Sequence, residues 1–227
     1  MRINVLQHTP NEGPGAIKSW SQAHGHEMYV YHPYQFDGVL PTADETDLLV
    51  ILGGPMSPND DTGWIANERA LIAELLDNGT PMFGACYGAQ QIAKTLGYEI
   101  SKAPCKEVGW APVHRRTATI PGIPEQLVAL HWHEEMFEVP KEAELLFSSD
   151  LVENQGFVMN GNIVGLQFHF EPEADDVREI VTNDAAYALD RNALHQTPAD
   201  ILARTVPEEN KTVMFTLLDY ISNDRDE

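Results

Sequence analysis

The chain has 227 residues, of which 43% are hydrophobic and 22% are charged, a balance typical of a globular protein with a sizeable core. Its 35 acidic and 14 basic residues give a formal net charge of -21 at pH 7. A surface of this sign repels phosphate backbones and anionic lipids, so we expect neither a nucleic-acid nor a membrane partner.

The cysteine content and the N-terminal residues indicate the cellular compartment. The two cysteines are too few for a disulfide framework. No signal-peptide pattern precedes the first strand-like run, and no apolar stretch approaches the roughly 20 residues that span a bilayer. We therefore expect a reducing, cytoplasmic setting.

The N-terminal third of the chain alternates predicted strands and helices. Predicted strands lie at 3–6, 28–31 and 48–52, and predicted helices lie at 16–24 and 65–78. The unbroken aliphatic run at 48–52 is typical of a strand that is covered on both faces. The alternation predicts right-handed crossovers and a mostly parallel sheet.

The middle of the chain instead shows short strand candidates, at 108–113, 126–130, 145–148, 156–159 and 163–167. Asn160-Gly161 between apolar pairs predicts a hairpin. From residue 174 onward the pattern indicates helices, the last at 211–221, and we interpret the acidic cluster at 224–227 as a frayed tail. No repeat or linker divides the chain, so we predict one domain over 1–227 with a C-terminal helical extension over about 174–227.

The most informative stretch is PMFGACYGAQQ, where a short apolar strand runs directly into a helix-compatible segment. On so sharp a turn Cys86 is held out of the sheet, with its sulfur near a helix N-terminus that favours the reactive thiolate. Gly84 and Gly88 stand where side chains would crowd the crossing, as in the serine nucleophile elbow. The alternative is a buried structural cysteine. Cys105 follows Pro104 without such glycines, and we interpret it as structural.

A second informative stretch is GLQFHFEP, in which a histidine ends a predicted strand and a carboxylate follows two positions later. Residues two apart lie on the same side of an extended chain, so Glu171 can accept the ring N–H of His169 and fix its tautomer. The other ring nitrogen can then take a proton from a thiol, as acyl transfer requires. The alternative is a surface histidine beside a solvated glutamate.

Together, GACYGAQ and QFHFEP resemble the two signature motifs of the class I (triad-type) glutamine amidotransferases, and the resemblance extends from Val50 to Glu173. It implies a flavodoxin-like three-layer α/β domain with a nucleophile elbow, C-terminal helices and no cofactor. It also implies a catalytic triad of Cys86, His169 and Glu171. Within the family, the chain is similar to stand-alone proteins related to the amidotransferase domain of GMP synthase.

The resemblance extends to the oxyanion loop and to a substrate contact. LGGPMS at 52–57 resembles the loop that supplies one oxyanion donor, here the backbone amide of Gly54, which would pair with the amide of Tyr87. Taken alone, a Gly-Gly-Pro sequence is typical of an ordinary turn. Gln90 resembles a glutamine that contacts the bound substrate, although an ordinary polar residue is the alternative.

A further segment at 131–140, HWHEEMFEVP, resembles a loop that holds the amino-acid end of glutamine. Trp132 and His133 are therefore candidate substrate-binding residues. The family commonly has Gly-Asp where this chain has two glutamates, at 134–135, so the contacts of the loop differ here. His131 and His133 could bind a metal, but no third ligand is evident beside them, and we expect no metal site.

The resemblance implies a complete reaction. Cys86 attacks the side-chain amide of glutamine, His169 passes the thiol proton to the departing ammonia, and water hydrolyses the thioester. The chain leaves no room for an ATP pyrophosphatase and has no Gly-x-x-x-x-Gly-Lys-Ser/Thr loop. We therefore expect a synthetase or other ammonia acceptor to bind in trans, or no acceptor at all.

Two other functions fit the same residues. One is hydrolysis of γ-glutamyl peptides, because a γ-glutamyl amide is chemically a substituted glutamine. The other is a non-catalytic regulatory subunit on the same fold. A copy without activity has no physical reason to keep Cys86, His169 and Glu171 together, which argues against this last function.

Overall fold

The computed structural model describes residues 1–222, apart from the side chain of Asp37. The stretch at 224–227, which we interpret from the sequence as a frayed tail, lies outside the described residues. Within the described part, no helix combines the length and the apolar composition that crossing a membrane requires.

Nine strands of the described chain form one continuous sheet. They are β1 (Arg2–Leu6), β2 (Glu27–Tyr31), β3 (Leu48–Ile51), β4 (Met82–Ala85), β5 (Ile100–Arg115), β6 (Gln126–Phe137), β7 (Ala143–Ser149), β8 (Gly156–Met159) and β9 (Ile163–Leu166). The α-helices of the same residues are α1 (Gly15–Ala23), α2 (Gly63–Asp77), α3 (Tyr87–Thr95), α4 (Ala174–Asn183), α5 (Ala185–Leu189), α6 (Pro198–Ala203) and α7 (Glu208–Ser222).

The strand order is β2-β1-β3-β4-β9-β8-β7-β5-β6. The first five strands in this order run parallel to one another. The remaining four extend the sheet through antiparallel pairs. The parallel strands come from the alternating N-terminal pattern together with β9, because parallel neighbours need a crossover connection. The predicted α/β fold is confirmed.

Helices cover both faces of the parallel strands, which gives three layers. The side chains of β3 alternate between two hydrophobic clusters, as successive residues of a strand must. Leu48 and Val50 pack in the cluster that contains residues of α1 and α7. Leu49 and Ile51 pack in the cluster that contains residues of α2 and α3. This burial on two faces explains the unbroken aliphatic run of the sequence.

Helices α4, α5 and α6 cover the long hairpin of β5 and β6. Val108 and Trp110 of β5 share a third hydrophobic cluster with Ile180 of α4, Ala188 of α5 and Ile201 of α6. This packing brings the junction between α4 and α5 close to β6.

Strands β5 and β6 are both longer than the sequence predicts. The strand expected at 108–113 belongs to a 16-residue strand, and β6 extends to Phe137. Most of the segment 131–140, which its resemblance marked as a loop, is therefore strand. Antiparallel pairing stabilises the extension, with Glu107 of β5 opposite His133 of β6.

The hairpin predicted at Asn160-Gly161 connects β8 to β9. Both residues have positive φ angles, 54° and 74°. Asparagine and glycine adopt this left-handed region at low cost, which explains the strong local signal. The hairpin prediction is confirmed.

Two glycines allow α3 to cross the sheet at contact distance. A Cβ atom added at Gly88 would lie 2.0 Å from the carbonyl oxygen of Ile51 in β3. A Cβ atom added at Gly84 would lie 2.6 Å from the backbone nitrogen of Ala89. Both obstacles are backbone atoms, which cannot move aside as a flexible side chain can. The turn between β4 and α3 therefore depends on the absence of these two side chains.

We predict that Gly88→Ala lowers the free energy of unfolding by about 1–3 kcal/mol or more, because the added methyl group overpacks against β3. Gly63→Ala is the matched control, since Gly63 likewise lies in the first turn of a helix but has no atom within 4 Å of an added Cβ. The control should leave stability unchanged or raise it by up to about 1 kcal/mol. Urea unfolding followed by circular dichroism measures both, and a wild-type midpoint for Gly88→Ala would contradict the crossing argument.

Candidate active site

Cys86 lies in the turn between β4 and α3, in a backbone conformation that residues other than glycine rarely adopt. Its φ and ψ angles are 49° and -108°. Its N–H donates to the carbonyl oxygen of Leu166 in β9 at 2.7 Å, which ties the turn to the neighbouring strand. Strain of this kind costs about 1–3 kcal/mol and persists only where the surroundings impose it. Cys86 is the N-cap residue of α3, so its sulfur lies beside a partial positive charge.

The carboxyl ends of parallel strands deliver the groups around this cysteine. Cys86 follows β4, Gly53 and Gly54 follow β3, and His169 follows β9. In α/β proteins, this edge of the sheet is where ligands bind. Side chains far apart in the sequence therefore meet at one place because their strands end side by side.

His169 and Glu171 form a buried pair. The His169 Nδ1 atom is 2.5 Å from the Glu171 Oε1 atom, and the two residues are 2% and 3% exposed. The carboxylate can only accept from an imidazole N–H, so it fixes the proton on Nδ1. The backbone of His169 pairs with Leu130 of β6 through N···O distances of 2.9 and 3.3 Å. The Glu171 contact therefore orients the ring, and the pairing with Leu130 fixes the backbone that carries it.

Burial, charge and hydrogen bonding compete to set the protonation state of His169. Burial by itself would lower the pKa of the ring, but the negative charge of Glu171 raises it. Hydrogen bonds to Cys86 and Glu171 add to the effect, and the resulting pKa of His169 lies well above its ordinary value. The geometry therefore favours an imidazolium beside the sulfur, which stabilises a thiolate.

Neighbouring strands surround the sulfur with polar groups. The Sγ atom of Cys86 lies 3.9 Å from the carbonyl oxygen of Trp132 in β6. The amide Nε2 of Gln167 lies 3.6 Å from the same sulfur. No role was predicted for Gln167 from the sequence, although it is the first residue of the motif QFHFEP.

A cavity of about 340 Å³ opens at Cys86. The predicted oxyanion and substrate-binding residues all border it, namely Gly54, Tyr87, Gln90, Trp132 and His133. His169 and Glu171 are not among the bordering residues and are almost fully buried. The structure thus brings the predicted site residues to one place, with the pair of His169 and Glu171 embedded in the protein.

The predicted substrate-binding residues also have partners within the protein. Gln90 is buried and donates from its side-chain amide to Gln167 Oε1 at 3.1 Å. The indole of Trp132 donates to a carboxylate oxygen of Asp184, between α4 and α5, at 3.0 Å. The ring of His133 is directed at protein atoms and is 2% exposed. Their roles in binding substrate remain predictions.

The glycine loop after β3 is packed tightly on two histidines. A Cβ atom added at Gly53 would lie 3.0 Å from the ring carbon Cε1 of His169. A Cβ atom added at Gly54 would lie 2.7 Å from the Cβ of His8. His8 is buried and bonds to Glu68 of α2 through Nε2 at 2.8 Å, and its Nδ1 donates to the Leu52 carbonyl at 3.1 Å. His8 therefore links the loop to α2.

Glu12 borders the cavity and was not identified from the sequence. A Cβ atom added at Gly53 would lie 2.2 Å from Glu12 Oε2, so this carboxylate sits against the glycine loop. Burial raises the pKa of Glu12 above its usual range, although the charge of His169 opposes the shift. A polar loop that follows the first parallel strand was the signal that could have found it.

These elements define a class of protein: an α/β domain with a cysteine nucleophile elbow and a buried histidine–glutamate pair at the carboxyl edge of its sheet. Comparison with known proteins narrows the class. A model of the family "Glutamine amidotransferase class-I" matches residues 20–184. The chain belongs to the class I glutamine amidotransferase family.

The individual proteins that this chain resembles are consistent with membership of this family. A glutamine amidotransferase-like protein, YfeJ, of Salmonella typhimurium is 30% identical over 195 residues, 80% of either chain. GMP synthase [glutamine-hydrolyzing] of Listeria monocytogenes is 27% identical over 156 residues, which are 67% of this chain but only 28% of that protein. The crystal structure of a glutamine amidotransferase from Thermotoga maritima is similar with a TM-score of 0.88, 26% identity and 98% coverage of both chains.

We predict that a glutamine-mimicking electrophile, such as a diazo-ketone analogue, labels Cys86 and spares Cys105. Burial and the charge of Glu107 raise the pKa of the Cys105 thiol, which reduces its reactive thiolate fraction. Mass spectrometry of the digested protein measures both sites in one sample. Labelling at Cys105 instead, or turnover that survives Cys86→Ala, would contradict the assignment of the nucleophile.

We also predict that Glu171→Gln lowers the pKa of His169 and reduces turnover less than His169→Ala does. Without the Glu171 charge, burial is no longer offset, so the ring should lose its proton at a lower pH than in the wild type. Loss of an orienting residue is also typically milder than loss of the base. NMR titration of the imidazole, with His169→Ala to assign its signal, gives the pKa, and steady-state kinetics gives turnover.

Two results would contradict this role for Glu171. One is an unchanged His169 titration in Glu171→Gln. The other is an equal loss of turnover in Glu171→Gln and His169→Ala, with both variants folded by circular dichroism. The second result would mean that the carboxylate does more than orient the ring.

Proposed function

We propose that the chain hydrolyses the side-chain amide of glutamine through a thioester on Cys86. The observation that carries the proposal is the buried pair of His169 and Glu171, which interacts with a cysteine at the edge of a cavity. Nucleophile, base and orienting group are the three roles that acyl transfer requires. The family supports amidotransferase chemistry of this type.

In the proposed cycle, His169 first takes the thiol proton of Cys86, and its raised pKa keeps the proton on the ring while the thiolate attacks. The imidazolium then gives the proton to the departing nitrogen, which leaves as ammonia. Water, deprotonated by the neutral ring, hydrolyses the thioester and releases glutamate. Glu171 stays bound to Nδ1 throughout and stabilises each charged form of the ring.

Backbone amides of Tyr87 and Gly54 are the proposed oxyanion donors. Tyr87 is the first residue of α3, and the first amides of a helix have no intrahelical acceptor, so this N–H is available to a ligand. Gly54 borders the same cavity from the loop that His8 holds. Donors aimed at the developing charge are worth about 10²–10³ in rate.

The relatives support glutamine as the substrate and suggest where the ammonia goes. The Listeria relative is named as a glutamine-hydrolysing GMP synthase, and its similarity to this chain covers 28% of its length. We propose that ammonia released here passes to an acceptor bound in trans. The proposal places the reaction in the cytoplasm, where the thiols of Cys86 and Cys105, both free, stay reduced.

A second candidate function, hydrolysis of γ-glutamyl amides, is supported by the extent of the cavity. From Cys86 the cavity continues to Asp184 and Tyr187, in the helical segment that follows β9. A substituent on the reacting nitrogen could occupy this region. The same Cys86 thioester would form, and an amine rather than ammonia would leave.

The charge of the cavity favours one kind of substituent. The carboxylates of Asp60, Glu134, Glu135 and Asp184 border it, and no lysine or arginine does so among the described residues. A concave surface of one sign concentrates ligands of the opposite sign. If the leaving group is an amine, a positively charged one is therefore preferred.

We predict slow but measurable release of ammonia from glutamine by the isolated chain. Gly53 and Gly54 impose no intrinsic backbone penalty on rotation of the peptide between them, so its orientation depends on the packing of the loop against His8 and His169. A misplaced oxyanion donor lowers the rate by about 10²–10³, which a docked synthetase could restore. Steady-state kinetics on glutamine and asparagine tests this, with Cys86→Ala as the control that must abolish turnover.

The same assay distinguishes the two candidates when γ-glutamyl-lysine and γ-glutamyl-glutamate are added. Fast, unassisted turnover of a γ-glutamyl peptide, with glutamine a poor substrate, would replace the first candidate by the second. In that case the lysine peptide should be preferred, since it is opposite in charge to the cavity. A folded protein with no turnover on any substrate would instead favour a regulatory subunit.

A further inference from the structure

A cluster of three buried side chains lies between β5 and β6, apart from the residues assigned to catalysis. It consists of Glu107 on β5 and of His131 and His133 on β6, and each is at most 2% exposed. The two histidines are two residues apart on one strand, so they lie on the same face of the sheet. Glu107 is the cross-strand partner of His133.

When the His133 ring is neutral, hydrogen bonding leaves two acceptors facing each other in this cluster. His133 Nδ1 lies 3.2 Å from the carbonyl oxygen of Glu135, which can only accept, so the proton of a neutral ring is on Nδ1. His133 Nε2 then presents its lone pair to Glu107 Oε2 at 3.3 Å. The side-chain amide of Gln155 offsets the repulsion between the two acceptors only in part. Its nitrogen donates to Glu107 Oε2 at 2.5 Å and lies 3.4 Å from His133 Nε2.

Neither ring nitrogen of His131 has a partner at good hydrogen-bond geometry, although the ring is 0% exposed and the backbone of Ala111 makes a weaker polar contact with it. Its Nδ1 lies 3.6 Å from Glu107 Oε2. A neutral imidazole keeps one ring-nitrogen lone pair, which a cation can bind. Buried polar atoms without partners are rare in folded proteins and call for an explanation, such as a bound ion.

We propose that Glu107, His131 and His133 bind one divalent transition-metal ion, with zinc as the best match. Their ligand atoms all lie within 4.8 Å of one another. The two nitrogen–oxygen distances of 3.3 and 3.6 Å are close to the separation of about 3.4 Å that tetrahedral bonds of about 2.0–2.1 Å produce. A cation between them would satisfy the facing lone pairs.

The surroundings fit a zinc-type ion better than magnesium or calcium. Two imidazoles and one carboxylate are donors that zinc prefers, whereas the hard cations take oxygen ligands. The N–H···O bond from His133 to the Glu135 carbonyl is the outer contact that metal-binding histidines usually make. The Gln155 Oε1 atom has no partner, and rotation of this amide would present it as a fourth ligand.

The position of the cluster implies a structural role for the ion. Trp132 lies between the two histidines, and its carbonyl faces the Cys86 sulfur at 3.9 Å. An ion that joins β5 to both sides of Trp132 would therefore hold the cavity wall in place. It takes no part in the thioester chemistry.

The test measures zinc binding to the purified protein after a chelator has removed any bound metal. Zn²⁺ is titrated against the protein, with Mg²⁺ in parallel, and the bound metal is counted by elemental analysis after gel filtration. We expect one zinc per chain and a higher Tm with Zn²⁺ but not with Mg²⁺, because an ion that binds only the folded state stabilises it. No zinc binding above background would overturn the proposal.

Three variants locate the ion. Cys86→Ala should keep the zinc, which excludes a site that requires the catalytic thiolate. Glu107→Gln should weaken binding by more than about 100-fold, because loss of even an outer contact costs about 10–100-fold. His114→Gln is the matched control, since His114 lies on the same strand, pairs with Asp150 at 2.8 Å and should not affect binding. Zinc that is lost in Cys86→Ala but retained in Glu107→Gln would overturn the assignment.

If Glu107→Gln fails to fold, X-ray absorption spectroscopy of the zinc-loaded Cys86→Ala protein decides the question. Two imidazole ligands with the remaining positions filled by oxygen would support the cluster. A coordination shell with no more than one imidazole would contradict it. Co²⁺ substitution is a second measurement, since tetrahedral nitrogen and oxygen ligands give much more intense visible absorption bands than the octahedral ion bound only by water.

Discussion

The close crossing of α3 over the parallel strands is the constraint on which the site depends. No side chain fits at Gly84 or Gly88, because an added Cβ would meet the backbone of α3 or of β3. The chain must therefore reverse within one residue, and Cys86 takes the strained conformation with φ at 49°. The hydrogen bond from its N–H to Leu166 fixes that residue against β9. The cysteine thus gains its position at the cavity from packing and not from flexibility.

The two halves of the sheet meet around this cysteine. His169 leaves the parallel half at the end of β9 and immediately pairs with Leu130 in the antiparallel half. The long strand β6 then supplies the carbonyl beside the sulfur and the wall of the cavity. Because His169 and Glu171 are buried, each charge depends on the other for stabilisation. A low-dielectric environment makes such a pair strong when complete and costly when one partner is removed.

The sequence by itself determined the parts of this protein that rest on short-range geometry. A strand, a turn and a helix with Gly84 and Gly88 around Cys86 form one local unit, so the elbow could be predicted without its neighbours. The relation between His169 and Glu171 is equally local, since residues two apart share one side of an extended chain. The periodicity of apolar residues was enough to predict the α/β class, because helices and strands with buried faces repeat their apolar residues at different spacings.

Only the tertiary structure decided what depends on pairing between distant strands. Most of the segment 131–140 is strand because β5 pairs with it, which no pattern within the segment could show. The same pairing brings Glu107 into contact with His131 and His133. Glu107 precedes His131 by 24 positions, so the sequence offered no third ligand beside the histidines. Glu12 reaches the cavity because β1 ends near β3, and that adjacency is set by the order of strands in the sheet. Long-range contacts of this kind are chosen by packing of whole elements, which short sequence windows do not encode.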